Sequence, residues 1–427
     1  FANAKIEYST DGGVTYPPAN VIVASTPAAA LTYPWTIPDA IGAQVKVKIS
    51  DVLNPATIYD ASDNNFNIKG KLVVSVPNGA NVYTVGSSEV ISWQKFGTLG
   101  NINIKYSTDG VTYPNLITGT PVAASALNYT WTPIPDTIGT TVKVLLELVS
   151  DPGGVFDVSD ANFSIKGSLT LTAPNGGQTL SVGAGTNITW TKNGSIGNVE
   201  LSYSTDGGTT FPPANLIATG LLPTASPYAW TVPDAISSLV RVKVLLISDT
   251  SIFDISDSNL AIKGSLTITA PNTGLEKWEV GTSQAITWTR NGASMGTARL
   301  DYSKNGGVDG YAYPIATAVA SGALTYSWTI PDAIGIQVRV KISAESDTTI
   351  NDTSDANFAI IGRFVISSPI GGETWYVGQS NNIVWATYGT IDKVNLYYST
   401  NGGATYPSSI IPAATNVNGY LWTIPDA

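Results

Sequence analysis

Four short stretches bring carboxylates and amides close enough together to do chemistry. They read DASDNNFNI, DVSDANFSI, DISDSNLAI and DTSDANFAI, and begin at Asp60, Asp157, Asp254 and Asp352. Each offers two Asp and at least one Asn within six residues. Such an all-oxygen set suits a hard cation such as calcium, which takes about 6–8 oxygen ligands. The candidate ligands are Asp157, Asp160 and Asn162 in one stretch and Asp254, Asp257 and Asn259 in another. No Glu or further Asp adjoins them to complete a shell. The same residues have a second use, because short polar side chains cap turns. Asp160 and Asn162 would then sit at the turn into a strand whose Phe163 and Ile165 face a core. The capping reading is preferred, so neither a metal nor a cofactor is expected.

Little other chemistry is on offer. The 427 residues contain no His and no Cys, which removes the commonest general base, the thiol nucleophile and disulfides. Net charge is −10, yet only 12% of residues are charged. Lys and Arg form no blocks, which argues against nucleic-acid or anionic-membrane partners. No apolar run approaches the roughly 18 residues of a membrane span. The opening residues FANAKIEYST show no basic-then-apolar leader pattern.

The acidic stretches are one of four anchors in a repeat. A Tyr-Ser pair recurs at Tyr8, Tyr106, Tyr203, Tyr302 and Tyr398. Trp followed closely by Pro-Asp recurs at Trp35, Trp131, Trp230, Trp328 and Trp422. Val-Gly followed by Ile-x-Trp places Trp93, Trp190, Trp288 and Trp385. All four anchors return every 94–99 residues in one order. The frame predicts complete units at 71–167, 168–264 and 265–362, a unit lacking its start at 1–70, and a unit lacking its end at 363–427. Phe1 aligns with Leu99, so the sequence is expected to be cut from a longer array. Units adjoin through one residue, as in Lys166-Gly167-Ser168. A lone Gly permits a bend with little slack, and a semi-rigid rod is expected.

Within a unit the periodicity is that of strands. Leu169-Thr170-Leu171-Thr172 and Asn187-Ile188-Thr189-Trp190 alternate apolar and polar residues. Turns are built from PNGG, STDGG and IPDA, where Gly supplies positive φ and Pro fixes φ. About seven short strands per unit predict an all-β, two-sheet sandwich. The order P-x-G-G-E, V-G, I-x-W, Y-S-T-x-G-G, W-x-I-P-D, S-D-x-N-F-x-I resembles the Ig-like or fibronectin-III-like repeats of bacterial secreted and cell-surface proteins. It is also similar to the Kre/Knh-type Ig-like domain of cell-wall proteins. Residues Pro369, Gly371, Gly372, Glu373, Trp375, Val377, Gly378, Ile383 and Trp385 carry the front of the pattern. The resemblance implies a tandem array of Ig-like sandwiches in an extracellular setting.

One stretch, YSTDGGVTYP at 8–17, also matches the Asp box of sialidases and other propeller hydrolases. In the repeat frame it is a hairpin turn, with Asp11 accepting from turn amides. Arg occurs only at 241, 290, 299, 339 and 363, so the arginine cluster of a sialidase is not formed. The Trp pair of each unit could serve as a glycan platform, but its alternation points it inward, toward the core. Outward apolar residues in the next-to-last strand, Leu145, Leu245 and Ile247, mark a candidate self-association surface. Sequons at Asn128, Asn162, Asn187, Asn193 and Asn351 permit glycosylation. The expectation is a non-catalytic extracellular structural protein that self-associates into a filament, stalk, sheath or surface layer. The alternatives are an adhesin or glycan-binding module, for which Val308-Asp309-Gly310-Tyr311 is the one insertion, or accessory repeats of a secreted hydrolase.

Overall fold

A computed structural model describes residues 2–426; Phe1 and Ala427, the ends of the repeat frame, lie outside them. The chain is all-β, with only three-residue 3-10 turns besides strands among the described residues. The stretch 168–264 shows the plan. A small sheet places Gly185–Asn193 between Ser168–Ala173 and Tyr228–Thr231. A larger sheet runs, in order, Thr179–Ser181, Leu260–Lys263, Ser237–Leu246, Val199–Ser204 and Leu216–Leu221, with Phe253–Ile255 also beside Ser237–Leu246. All neighbours are antiparallel except Thr179–Ser181, which runs parallel to Leu260–Lys263. The stretches 71–167 and 265–362 repeat this topology.

Seven expected strands become nine segments because the first and the last are each broken in two. The first breaks at Pro174-Asn175-Gly176-Gly177, where Pro has no N–H to continue the ladder and both glycines have positive φ. Its two halves therefore join different sheets. The last breaks at Ser256–Asn259, between Phe253–Ile255 and Leu260–Lys263.

The alternation explains the packing. Along Ser237–Leu246 the residues Val240, Val242, Val244 and Leu246 are buried, and Arg241, Lys243 and Leu245 point the other way. Facing them, Ile188 and Trp190 fill the space between the sheets. With no disulfide, the indoles occupy the sandwich centre. Trp93, Trp190 and Trp288 are 2–3% exposed, and their Nε1 groups donate to the carbonyls of Ala124, Pro223 and Ser321 at 2.8–3.0 Å. The second Trp of each stretch, Trp131, Trp230 and Trp328, packs against the Tyr of the Tyr-Ser pair, with ring centroids 5.0–5.9 Å apart. Both Trp sets are thus core in the complete stretches. Among the described residues of 1–70 only the larger sheet is present, and Ile49, Leu31 and Tyr33 are exposed.

Candidate functional site: acidic motifs and junctions

The acidic motif closes each sandwich. Asp254 Oδ2 accepts the backbone N–H of Leu171 at 2.7 Å, on the free edge of the first strand. Asp157 does the same for Val74 and Asp352 for Ile268. The buried Ser256 hydroxyl accepts from Val242 N at 2.8 Å and donates to Val242 O at 3.2 Å, mending the broken ladder. Ser159 and Ser354 repeat the bond with Val144 and Val340. Asp257 and Asn175 exchange two bonds: Asn175 Nδ2 donates to the carboxylate and Asp257 N donates to Asn175 Oδ1. Asp160 with Asn78 and Asp355 with Asn272 form the same pair. Asn259 Oδ1 accepts from Arg241 Nε at 2.8 Å.

Of the calcium candidates, the four Asp carboxylates and the Asn259 amide oxygen already accept from protein donors. The Asp157 and Asp254 carboxylates turn toward the first strand, away from Asp160 and Asp257. The expected cap also differs in detail, because its partner lies 82 residues away and not in the local turn. Spacing along the sequence cannot reveal a bond across two sheets. Melting curves in calcium and in chelator are expected to coincide, and a chelation-induced fall of several degrees would reverse this assignment.

The Tyr-Ser turns are self-contained. Ser9 Oγ donates to Asp11 Oδ1, while Thr15 donates both N–H and Oγ1 to the carboxylate. These bonds, from Ser9 first and then Thr15, hold Asp11 at about 2. Ser204 and Thr210 do the same for Asp206. A carboxylate held at about 2 is a weak base at neutral pH. In the insertion, Asp309 accepts from Lys304 N and Tyr311 N, which folds Val308–Tyr311 back on its own turn.

The residues that sequence reasoning missed lie between units. Four of the five Asp residues of the Pro-Asp anchor reach into the following unit. Asp136 accepts Ser195 N at 2.9 Å and Ser195 Oγ at 2.6 Å. Asp39 binds Thr98 in the same two ways. Asp234 accepts Ala293 N and Ser294 Oγ, and Asp332 accepts Thr390 Oγ1. On a second side, the last Lys of one unit pairs with an Asp of the next. Lys69–Asp151, Lys166–Asp249 and Lys263–Asp347 are 2.7–2.9 Å apart.

Between these two contacts sits the linking Gly. Its φ is unexceptional, so the residue is not there for a bend. A Cβ on Gly167 would lie 2.2 Å from Ile196 Cγ2 and 2.7 Å from the Asn193 carbonyl. Gly70 meets Leu99, Gly264 meets Met295 and Gly362 meets Ile391 in the same way. Gly167→Ala is expected to cost about 1–3 kcal/mol through overpacking, measured by denaturant unfolding.

Acid is expected to release the Lys166–Asp249 and Lys263–Asp347 pairs late. The Lys166 ammonium, then Ser251, holds Asp249 at about 2, and Thr349, then Lys263, holds Asp347 at about 2. These folded-state values lie below the ordinary Asp value. Their contribution is therefore complete above the ordinary range and is lost as pH falls through about 2. Scattering profiles recorded from neutral pH down to pH ~4 should superimpose.

Leu145 and Leu245 fall on the outward face of the larger sheet, whereas Ile247 lies in the turn after Ser237–Leu246 and not on the strand. Leu145 lies half-buried between Lys105 and Val158, and Leu245 between Glu200 and Phe253. Ile247 is exposed. Val144 and Val242 both oppose the Tyr of the Tyr-Ser pair, so Leu145 matches Lys243 and not Leu245. The two leucines thus occupy different rows. All five sequon asparagines are exposed, but the Asn193 and Asn351 amides already donate to neighbours.

Two sheets, a first strand divided between them and the same core in each repeat define the class: the chain is a tandem array of Ig-like and fibronectin-III-like β-sandwiches. No family model and no curated relative matches the sequence. Among solved structures it is similar to the N-terminal four Ig domains of Dscam1 isoform 6.9, at 8% identity over 84% of this chain and 91% of that one, with a TM-score of 0.25. It is also similar to the fibronectin(III)-like modules of Clostridium thermocellum CbhA, at 16% identity over 45% and 93%, with a TM-score of 0.17. The three N-terminal domains of the bacteriophage RB49 outer capsid protein Hoc match at 11% identity over 68% and 99%, with a TM-score of 0.25.

Proposed function

We propose that this protein is non-catalytic extracellular structural material, with Ig-like units held in fixed succession as a filament, stalk, sheath or surface layer. The observation that carries this reading is the junction. The Pro-Asp clasp recurs at all four junctions, and the Lys–Asp pair joins it at three. Contacts on two sides of a close-packed Gly oppose both bending and twisting. Three like junctions, with the same clasp and ion pair, would give a similar rotation from one unit to the next, as a regular rod requires.

The path of the chain fits a load along its length. The chain leaves a unit through Leu260–Lys263, beside the parallel Thr179–Ser181 near its entry. Tension therefore shears this ladder as a block and does not peel it one bond at a time. The plan of the acidic motif supports a non-catalytic role, since both its Asp residues repeat in every complete unit and accept backbone or side-chain donors.

The test is small-angle scattering on the 427-residue chain and on an Asp136→Ala, Lys166→Ala, Asp234→Ala, Lys263→Ala variant. The parent should show one fixed maximum dimension. The variant should show a broader and more compact distribution with intact near-ultraviolet circular dichroism. A parent that already samples many shapes, or a variant indistinguishable from it, would defeat the rod reading.

A further inference from the structure

Asn followed by Gly occurs seven times in the chain. The pair is chemically labile, because the peptide nitrogen after the Asn can attack the side-chain amide and Gly has no Cβ to hinder it. Five of the seven are held in place. Asn78 and Asn175 each exchange two bonds of 2.6–2.9 Å, with Asp160 and Asp257. Asn305 Oδ1 accepts Asp309 N at 2.8 Å, and Gly306 N donates to the Gln337 carbonyl at 2.7 Å. Asn401 is bonded through both amide atoms to Thr405, and Asn418 Oδ1 accepts from Thr387 Oγ1 at 2.6 Å.

The other two are loose, and both lie at junctions. Asn193 and Asn291 are exposed, and their Nδ2 groups reach only Ser168 Oγ at 3.2 Å and Ser265 Oγ at 3.4 Å. Their Oδ1 atoms, and the N–H groups of Gly194 and Gly292, meet no hydrogen-bond partner among the described residues. Little therefore keeps either side chain from turning toward the next peptide nitrogen.

The residues that follow make the junction. Ser195 donates N–H and Oγ to Asp136, and Ile196 lies against Gly167. Ala293 N and Ser294 Oγ donate to Asp234, and Met295 lies against Gly264. The clasp carboxylates are close to the labile bonds. A Cβ on Gly194 would sit 3.2 Å from Asp136 Oδ1, and one on Gly292 would sit 3.5 Å from Asp234 Oδ1. At the same position the outer two junctions carry Phe96 and Tyr388, which have no amide to lose.

We propose that Asn193 and Asn291 are modification sites, which convert to aspartate and isoaspartate and so release the two junctions beside them. Gly194 N gives its proton to solvent base and bonds to Asn193 Cγ. The Cγ–Nδ2 bond breaks, and the nitrogen takes up a proton and leaves as ammonia. Water then opens the succinimide at either carbonyl. In sum, asparagine and water give ammonia and a carboxylic acid, with no oxidant or reductant. Opening at the backbone carbonyl gives isoaspartate, whose main chain is one atom longer. Ser195 cannot then keep both bonds to Asp136 while Ile196 stays against Gly167. Either product also adds a negative charge close to the clasp carboxylate, and like charges repel. Asn291 and Asp234 follow the same course.

The consequence for the junctions rests on the rod reading above; the modification itself does not. The test ages the 427-residue chain and an Asn193→Gln, Asn291→Gln variant in warm, mildly alkaline buffer, with peptide mass mapping and small-angle scattering at intervals. Asn193 and Asn291 should convert about tenfold faster than Asn78 and Asn175, whose bonds must open first. Scattering of the aged parent should broaden. The aged variant, whose longer side chains close a ring slowly, should scatter as it did at the start. Conversion at Asn193 and Asn291 no faster than at Asn78 and Asn175 overturns the assignment. Conversion with unchanged scattering overturns the release. A fresh parent that already samples many shapes defeats the rod reading instead, and the peptide map then still decides whether the two sites are modified.

Discussion

Trp288→Ala is expected to destabilise its unit by about 3–5 kcal/mol, the range for deleting a large aromatic from a core. Trp288 is 2% exposed, and its neighbours Ile286, Leu266 and Phe358 belong to one closely packed cluster. The substitution leaves a cavity and also orphans the Ser321 carbonyl, which accepts the indole N–H at 2.8 Å. Trp288→Phe should recover part of the volume but not the bond. Denaturant unfolding followed by the tryptophan signal of the array should show one unit melting early and the others unchanged. A loss below about 1 kcal/mol, typical of surface positions, would mean the indole is not core.

The second large effect is expected at Asp254→Ala. Its carboxylate is the partner of Leu171 N–H, and hydrogen bonds to charged groups contribute about 1.5–3 kcal/mol. Removing it leaves an unpaired amide beside the buried Leu171 side chain and frees the first strand from the larger sheet. Asp254→Asn should be milder, since its amide oxygen can still accept. The difference separates a clasp from a metal site, because added calcium should stabilise neither the parent nor the Asn variant. Hydrogen exchange at Leu171 should accelerate in Asp254→Ala. An unchanged exchange rate would show that the bond contributes nothing.

These two residues differ in how plainly the sequence exposes them. Trp288 announces itself, since Ile286-Thr287-Trp288 alternates and recurs in each repeat. The Asp of DISDSNLAI is just as visible, but its partner is not. Oxygen-rich spacing is common to turns, cation sites and clasps, and only the approach of Leu171 across the sandwich distinguishes them. The same limit hid Asp136, which looks like a turn residue of IPDA until Ser195 of the next unit is placed against it.

The sequence by itself determined the repeat, its period, the all-β class, the inward Trp positions and the hairpin role of YSTDGGVTYP. Each of these rests on local alternation or on turn residues, whose preferences act within a few positions of the chain. Tertiary structure alone decided that the linking Gly is chosen for close packing and that Leu145 and Leu245 lie in different rows. Those facts depend on which strands become neighbours. The neighbours are set by burying apolar faces over separations of about 60–85 residues, a length over which the chain's local pattern carries no record of what it will meet.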